Sequence, residues 1–316
     1  MATFALYTYK FRHVENIGFF EGQEQENTVA LDTLEERQNF LQEIFRDDLR
    51  QQRKFKCFRT EERKNKETGK KEKNSVGFDC KTIWENNGFI ILMVSNKKRI
   101  TRHQKFQKIK DQDEPWCHVV IDNRYGQEFI AIEKNGAFTS PNIVAGILED
   151  SLRARFTPHH VTIEIKNQYT PDAFWQVIDK HKLNGIKQVA FHFAAPNNPW
   201  ASQLLGNMNE AAKGMQARPS AVFSAPDNAP IEVSSDNEEL RKYVELCARQ
   251  GEDITIKVAG IRARIHVLEV KDKFVLAVMD ENLYKKMGAN DPDLFEDEYP
   301  TLSAFFDNVI KPAENV

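Results

Sequence analysis

A single apolar run, "GFIILMV" from Gly88 to Val94, sets the strongest limit on how this chain can fold. The run is too short for a membrane-spanning helix, which needs about 20 apolar residues, and it has the length of one β-strand. Because polar residues do not alternate with the apolar ones, other parts of the chain have to cover both faces of that strand. The run therefore predicts the central strand of a sheet with packed elements on both sides.

The segments around this run carry strand and helix patterns in a mixed order. Alternating apolar and polar residues predict strands in "TFALYTYKFRHV", "KFKCFR", "HVVIDNRYGQEFIAIEKN" (two strands), "VTIEIK", "IKQVAFHF", "DITIKVAG", "RARIHVLEV" and "KFVLAVMD". Helical spacing predicts helices in "LDTLEERQNFLQEIFRDDLRQQ", "SPNIVAGILEDSLRARF", "TPDAFWQVIDKHK" and "DNEELRKYVELCARQG". The expected N-caps of three of these helices are Asp32 or Thr33, Thr170, and Ser235 or Asp236.

Strands and helices that do not alternate regularly favour an α+β fold over a repeating βα array. We expect a mixed or mainly antiparallel sheet with packed helices, plus a smaller C-terminal α+β domain. The chain has 316 residues, which suggests about two domains. A change to Pro, Asn, Ser and Ala after "AFHFAAPN" suggests the division: residues 1–195 for a basic N-terminal domain, 196–235 for a linker, and 236–316 for the small domain with an acidic tail.

Charge is distributed unevenly along a chain whose formal net charge is only -3. Arg46 to Lys73 carries twelve Lys or Arg against six acids, and Asn96 to Lys110 carries seven against none. Asp280 to Glu298 carries seven acids against two lysines. Such asymmetry favours nucleic-acid contact, or docking of the acidic tail onto the basic segments.

The segment "NKKRITRHQKFQKIK" is the leading candidate for phosphate contact. Lys and Arg neutralise phosphates and release counterions, which gives strong binding at low salt and little sequence preference. His103 and Phe106 add rings that could contact exposed bases. The nearby "RKFKCFR" adds a second basic patch. The predicted contact residues are Lys97, Lys98, Arg99, Arg102, Lys105, Lys108 and Lys110, with Lys54, Lys56 and Arg59 in the second patch.

Two simpler interpretations of these basic segments stay open. The first segment could be a solvated loop or helix end, and the lysines of "TEERKNKETGKKEKNSVG" are typical of a solvated hairpin tip between Phe58 and Phe78. An anionic membrane surface would also attract a basic segment. The sequence has no amphipathic basic helix with Trp or Leu on one face to favour that partner, so we expect no membrane insertion.

The sequence carries no familiar catalytic signature, since it lacks GxSxG, HExxH, a P-loop and GxGxxG. One pattern of low specificity is "VTIEIK", which places Glu164 and Lys166 on the same face of a strand. Metal-dependent nucleases use such a pair as metal ligand and water-positioning lysine, and Asp150 or Asp122 could complete the set. The same spacing recurs in "HVLEVK", where Glu and Lys simply fill the solvent face. We therefore expect no catalytic residue, no cofactor and no metal.

The cysteines and the N-terminus both favour a cytoplasmic location. Cys57, Cys80, Cys117 and Cys247 are far apart and form no CxxC pair, which predicts reduced and mostly buried thiols. The first residues, "MATFALYTYKF", lack the basic flank and small-residue cleavage site of a secretory signal.

Three stretches between Gly88 and Asn197 have a recognisable order of elements. They are "GFIILMVSNKKRITRHQKFQKIKD", "VVIDNRYGQEFIAIEKNGAFTSPNIVAGILEDSLRARF" and "VTIEIKNQYTPDAFWQVIDKHKLNGIKQVAFHFAAPN". This order resembles that of uncharacterised prokaryotic phage-defence proteins and, more distantly, the lambda Rex exclusion (abortive-infection) DNA-binding sensor. The resemblance implies sequence-independent DNA binding by a dimer or larger oligomer that has no chemistry of its own. It carries over no catalytic residue.

These patterns lead to one hypothesis and two alternatives. The hypothesis is a cytoplasmic prokaryotic protein that binds DNA, or RNA, as a homo-oligomeric sensor or regulator in phage exclusion, together with a partner defence protein. One alternative is a divalent-metal nuclease that uses Glu164 and Lys166. The other is a protein-interaction subunit of a defence complex, in which the basic patch meets an acidic protein or the chain's own tail.

If the acidic tail competes with DNA for the basic surface, deleting Asp291 to Val316 is expected to tighten DNA binding, because a competing polyanion is removed. A DNA-binding titration of the truncated and full chains at one salt concentration measures the difference. Unchanged affinity would contradict the competition.

Overall fold

The computed structural model of the protein describes residues 2–14, 30–51, 55–64, 71–104, 107–193, 205–206, 208, 210–212, 218–226, 229–269, 275–289 and 298–310. The strands are β1 Thr3–His13, β2 Lys56–Lys64, β3 Lys71–Asn86, β4 Phe89–Ser95, β5 Lys98–Gln104, β6 Gln107–Asp113, β7 Trp116–Asp122, β8 Phe129–Glu133, β9 Val161–Asn167, β10 Ile186–His192, β11 Ser220–Ser224, β12 Ile254–Val258, β13 Ile265–His266 and β14 Leu276–Val278. The helices are α1 Leu34–Gln51, α2 Pro141–Phe156, α3 Asp172–His181, α4 Glu238–Gln250, α5 Glu281–Ala289 and α6 Tyr299–Ile310. The predicted α+β class is confirmed. None of the helices within the described ranges is both long enough and apolar enough to cross a membrane.

The chain forms two compact units, and the division differs from the expected one. Unit 1 is made of Met1–Ile165 and Leu276–Val316, and unit 2 is Lys166–Val275. The expected boundary at 196–235 therefore falls inside unit 2, and the expected C-terminal domain, 236–316, is divided between the two units. The reason is long-range pairing, because β14 pairs with β1 and β10 pairs with β12. A change in amino-acid composition along the chain carries no information about such long-range pairing, so it could not predict this division.

Unit 1 is built on one large sheet in the order β14-β1-β8-β7-β4-β3-β2, with β9 also paired with β1. The neighbours along this order are antiparallel throughout. Strand β4 has β3 on one side and β7 on the other, and its buried residues have no solvent-exposed surface: Phe89, Ile90, Ile91, Leu92 and Val94. The apolar run is thus an inner strand covered on both faces, as its composition predicted.

Strand β1 is also covered on both faces, which its alternating pattern did not predict. All residues from Phe4 to Tyr9 are buried. The polar atoms enclosed there have partners: Tyr7 Oη donates to Asn142 Oδ1 at 2.8 Å, and Tyr9 Oη donates to Asn123 Oδ1 at 2.6 Å. Burial raises the pKa of both phenols, so they stay neutral donors at physiological pH.

A two-residue turn, Asn87-Gly88, joins β3 to β4. Its φ angles are 49° and 83°, as in the type I′ hairpin turn that Asn-Gly favours. A Cβ atom at Gly88 would lie 2.9 Å from Cγ and 3.1 Å from Cα of Arg124, so the position leaves no room for a side chain. The backbone N–H of Asn123 donates to the Gly88 carbonyl at 2.7 Å, which ties the turn to the β7–β8 loop.

The lysine-rich stretch after Arg59 forms the predicted hairpin, but its strands extend further than predicted. β2 and β3 pair without interruption as far as Lys64 and Lys71, and residues 65–70 lie outside the described ranges. Across this ladder Glu62 lies opposite Lys73, and Glu62 Oε2 accepts from the diagonal neighbour Lys71 Nζ at 3.2 Å. Such cross-strand pairs of opposite charge stabilise a sheet and favour strands over a loop here.

Helix α2 covers the outer edge of β2. The backbone N–H of Phe58 donates to Ser151 Oγ at 2.9 Å, and that of Thr60 donates to Asp150 Oδ2 at 2.7 Å. Unpaired N–H groups at a sheet edge invite pairing with another chain. The side chains of α2 therefore protect this edge from intermolecular pairing.

The C-terminal helix α6 belongs to the core of unit 1. Leu302, Phe305 and Phe306 are buried, and the rings of Phe89 and Phe306 stack with centroids 6.1 Å apart. Deleting Asp291 to Val316 would remove this helix and expose the apolar surface that it covers. The truncation therefore does not test competition between tail and DNA, because binding would be measured on a destabilised protein.

Unit 2 has a sheet of its own in the order β11-β10-β12-β13, with helices α3 and α4. Its apolar core contains Phe174, Val177, Phe191, Phe193, Val244, Cys247, Ile254 and Ile256. Helix α3 begins at Asp172 behind Pro171, so Thr170 is not its N-cap.

The ends of the other helices follow capping chemistry. Thr33 Oγ1 accepts from the N–H of Glu36 at 3.2 Å while Glu36 Oε2 accepts from the N–H of Thr33 at 2.8 Å, which is a capping box. These reciprocal hydrogen bonds show that the N-cap of α1 is Thr33 and not Asp32. Helix α4 is capped by Asn237, later than predicted, and its predicted end at Gly251 is confirmed, with φ of 60°.

Replacing Gly88 with Ala is expected to destabilise unit 1 by about 2–4 kcal/mol, because roughly 1–2 kcal/mol of left-handed backbone strain adds to steric overlap with Arg124. Chemical denaturation followed by tryptophan fluorescence measures the loss. Gly126→Ala is the matched control, since Gly126 has a φ of 74° but open space where a Cβ would lie. Equal losses of unfolding free energy in the two variants would show that overlap with Arg124 does not contribute to the destabilisation.

Candidate nucleic-acid interface

The basic segment from Asn96 to Lys110 forms most of a two-stranded hairpin, not a loop or helix end. β5 and β6 pair antiparallel along their whole length and form a sheet of their own. The hairpin is inserted between β4 and β7, which pair with each other. Asn96 fixes its base, because its N–H donates to the Pro115 carbonyl at 2.9 Å and its Nδ2 donates to the Ala137 carbonyl at 2.8 Å. The central strand therefore sets the position of the basic segment.

The register sorts the residues of this hairpin onto two faces of different charge, because neighbouring positions alternate. The first face, here termed the cationic face, has Arg99, Thr101, His103, Lys108, Lys110 and Gln112. The second, mixed face has Lys98, Ile100, Arg102, Gln104, Gln107, Ile109, Asp111 and Asp113. The cationic face has no acidic residue, whereas the mixed face has two.

The predicted contact residues of the first segment divide between these faces. Arg99, Lys108 and Lys110 share the cationic face. Lys98 and Arg102 lie on the mixed face, and Lys98 Nζ donates to the Gly136 carbonyl. Lys105 lies outside the described residues. Three of the predicted cations are therefore brought together.

The second predicted patch does not form one surface. Lys56 and Arg59 are an odd number of positions apart on β2, so they lie on opposite faces of the strand. Lys56 lies opposite Asp79 in the register, and Asp79 forms an exposed ion pair with Lys97 at 3.2 Å. Asp79 therefore partly neutralises Lys97 near the base of the hairpin. Lys54 lies outside the described residues.

Strand β9 has the predicted alternation, with Glu164 and Lys166 on the face opposite its buried residues. Glu164 Oε2 lies 2.6 Å from Arg12 Nη2, and Lys166 Nζ lies 2.8 Å from Glu252 Oε2. Each member of the pair is therefore neutralised by another side chain, which gives a nuclease site no support. The nuclease alternative stays a prediction.

The aspartates considered as further metal ligands have other roles. Asp122 is fully buried, and its Oδ2 accepts from Arg124 Nη2 at 2.6 Å. Asp150 accepts from Thr60 at the sheet edge. Within the described ranges, no three His, Cys, Asp or Glu side chains are grouped to hold a metal ion.

A buried ionisable cluster that the sequence did not reveal links β7, β8 and α5. Glu133 Oε2 accepts from the backbone N–H of His118 at 2.9 Å and from its Nδ1 at 2.8 Å, and Glu133 Oε1 accepts from Tyr284 Oη at 2.8 Å. The side chains of His118 and Glu133 are only 4% and 5% exposed, which is too little for them to meet a substrate. The cluster therefore serves to hold three elements together.

Electrostatics in this cluster follow from burial and hydrogen bonding. Burial alone would raise the pKa of Glu133, but hydrogen bonds from His118 and Tyr284 outweigh it, so the pKa of this carboxyl lies below its ordinary value. Burial and the neighbouring carboxylate raise the pKa of Tyr284 to about 12.

The cysteines match their prediction. Cys57, Cys80, Cys117 and Cys247 are buried, reduced thiols. Burial raises the pKa of the Cys117 thiol, which keeps it protonated and unreactive.

No family model, no curated protein and no solved structure matches this chain. The resemblance to phage-exclusion proteins therefore rests on the order of elements and stays a prediction. Function has to be argued from geometry and charge.

Glu133 is expected to make folding sensitive to acid. A carboxyl whose pKa is lowered by folding stabilises the fold above its unfolded-state pKa of about 4.3, and this contribution is lost as the pH falls through the folded-state value. Glu133→Gln is therefore expected to lower stability at neutral pH and to flatten the decline in stability between about pH 5 and pH 3. Urea denaturation at each pH measures both effects. Glu114→Gln, at an exposed carboxyl, is the control, and parallel profiles for the two variants would contradict the assignment.

Proposed function

We propose that this protein binds DNA without sequence preference through the cationic face of the β5–β6 hairpin, as a sensor or regulator of anti-phage defence in the prokaryotic cytoplasm. The observation that carries the binding is the register, which gathers Arg99, His103, Lys108 and Lys110 on one face without an acid. The resemblance to phage-exclusion proteins supports the defence role, the homo-oligomer and a partner defence protein. RNA falls within the same chemistry, because contacts to phosphate do not read the base.

The shape of the hairpin suits a nucleic-acid groove. The major groove of B-DNA is about 12 Å wide and admits a two-stranded ribbon, an arrangement that several DNA-binding folds use. Each strand of the hairpin has seven residues, which is about 20 Å of ribbon. Residues that share a face are about 7 Å apart along a strand, so Lys108 and Lys110 can meet different phosphates.

The distribution of charge also orients the ribbon. A polyanion is attracted to the cationic face, while Asp111 and Asp113 on the mixed face repel it. Thr101 and Gln112, between the cations, are neutral hydrogen-bond donors of the kind that contact phosphates. Binding through this face therefore depends on charge and little on sequence.

The proposal is tested by titrating fluorescent single-stranded and duplex DNA with the wild type and with the variant Arg99→Gln/Lys108→Gln/Lys110→Gln at two salt concentrations. We expect wild-type affinity to fall steeply with salt. The variant is expected to lose most of the low-salt affinity, and its log–log salt slope on duplex DNA is expected to be shallower by about 2–3, because each neutralised phosphate contributes about 0.9.

The matched control is Lys180→Gln/Lys182→Gln/Lys257→Gln, which removes the same charge from exposed positions in unit 2 and is expected to bind like the wild type. Equal losses in both variants would show that net charge, not the hairpin, governs binding. No binding to either form of DNA at low salt would refute the proposal and would favour RNA or an acidic protein as the partner.

The same samples also test the nuclease alternative. Adding magnesium shows whether the DNA strand is cut, and any cleavage by a nuclease site at Glu164 is expected to be lost in Glu164→Ala.

A further inference from the structure

A polar cleft of about 450 Å³ lies in unit 1 at the other end of β4 from the hairpin. Its walls come from α1, the Asn87-Gly88 turn and the β7–β8 loop. The turn enters β4 and the hairpin leaves it, so the length of this seven-residue strand, about 20 Å, separates them. The volume falls in the range of roughly 300–1,000 Å³ that is usual for small-ligand sites.

Carboxamide side chains dominate the lining of this cleft: Gln38, Asn39, Gln42, Asn87 and Asn123. Two of them are buried and fixed by backbone partners. Gln38 Nε2 donates to the carbonyls of Arg124 and Gln127 at 3.1 and 2.8 Å, and Asn123 Nδ2 donates to the Gln38 carbonyl at 2.8 Å. Hydrogen bonds to the backbone therefore hold these two side chains in place.

The other three carboxamides are available to a ligand. The side chains of Asn39, Gln42 and Asn87 make no hydrogen bond to any residue in the described part of the chain. Each offers an N–H donor and a carbonyl acceptor side by side in one plane. At the rim stands the ring of Tyr125, which is 76% exposed. An exposed ring beside free carboxamides is suited to a flat, polar ligand.

The charges in the cleft do not suit an anion. Arg124 Nε and Nη2 donate to the two oxygens of Asp122 at 2.8 and 2.6 Å, and Nη2 also lies 3.3 Å from Asp307. This guanidinium is thus neutralised by two carboxylates, and Glu35 adds a further negative charge to the lining. A phosphate would find no unneutralised Lys or Arg among the lining residues. The lining therefore disfavours an anionic ligand.

We propose that this cleft binds a neutral nucleobase, presented either by a free nucleoside or by an unpaired base of a nucleic-acid strand. Base edges carry a donor and an acceptor side by side, which is the pattern that Asn and Gln match when they bind adenine. Tyr125 supplies the ring on which the base stacks. For a free nucleoside the inference is independent of the hairpin, and for an unpaired base it rests on the proposed DNA binding.

Isothermal titration calorimetry of the whole chain with adenosine, guanosine, cytidine, uridine and ribose tests the cleft. At least one nucleoside is expected to bind and ribose is not. Tyr125→Ala is expected to weaken nucleoside binding about tenfold, which is within the range for loss of one base–aromatic stack. Gln42→Ala is expected to weaken it as well. Trp116→Ala is the control, since Trp116 is an exposed ring at the far end of β7 and its loss is expected to change nothing.

Oligonucleotides distinguish the two sources of the base. Single-stranded DNA and its abasic counterpart are titrated against the hairpin variant Arg99→Gln/Lys108→Gln/Lys110→Gln, in which the cleft is intact. Tyr125-dependent preference for the base-containing strand would identify an unpaired base. Binding of nucleosides without such a preference would identify a free nucleoside and leave the inference standing even if the hairpin does not bind DNA. Absence of nucleoside and base-dependent binding at millimolar concentration, or equal binding of ribose, would overturn it whatever the hairpin does.

Discussion

The burial of β4 on both faces is the constraint on which unit 1 depends. Its side chains project alternately to opposite sides of the sheet, so two layers have to cover them, and α6 contributes Phe306 against Phe89. Burying one such side chain contributes about 1.5–3 kcal/mol, and the net stability of a domain is only about 5–15 kcal/mol. The hairpin and the cleft begin at the two ends of this strand. Both candidate sites are therefore attached to a strand that is buried on both faces.

Local patterns in the sequence were enough to predict much of the fold. The composition of "GFIILMV" predicted an inner strand, and the spacing around Thr33 and before Gly251 predicted α1 and α4, because these signals depend on neighbours in sequence. The pairing of β14 with β1 and the place of α6 in the core could not be predicted, since they join segments at opposite ends of the chain. The two units were misjudged for the same reason.

The candidate site was predictable in composition but not in arrangement. Seven cations between Asn96 and Lys110 are visible in the sequence, yet their division into two faces follows from the register between β5 and β6. The cluster of His118, Glu133 and Tyr284 and the carboxamides of the cleft left no sequence signal. Their members are ordinary polar residues that become distinctive only when separate helices, strands and loops are brought together.

The pairing of β14 with β1 has a consequence for synthesis on the ribosome. Unit 2 is a continuous segment that lies between the two parts of unit 1, so it leaves the ribosome complete before β14, α5 and α6 do. Translation proceeds at about 5–20 residues per second, so synthesis of unit 2 takes roughly 5–20 seconds. During this time the edge of β1 that later pairs with β14 has no partner, and the part of the unit 1 core that α6 later covers is exposed. The unit that begins to fold first is thus completed last, and the nascent chain is most prone to aggregation while unit 2 is being translated.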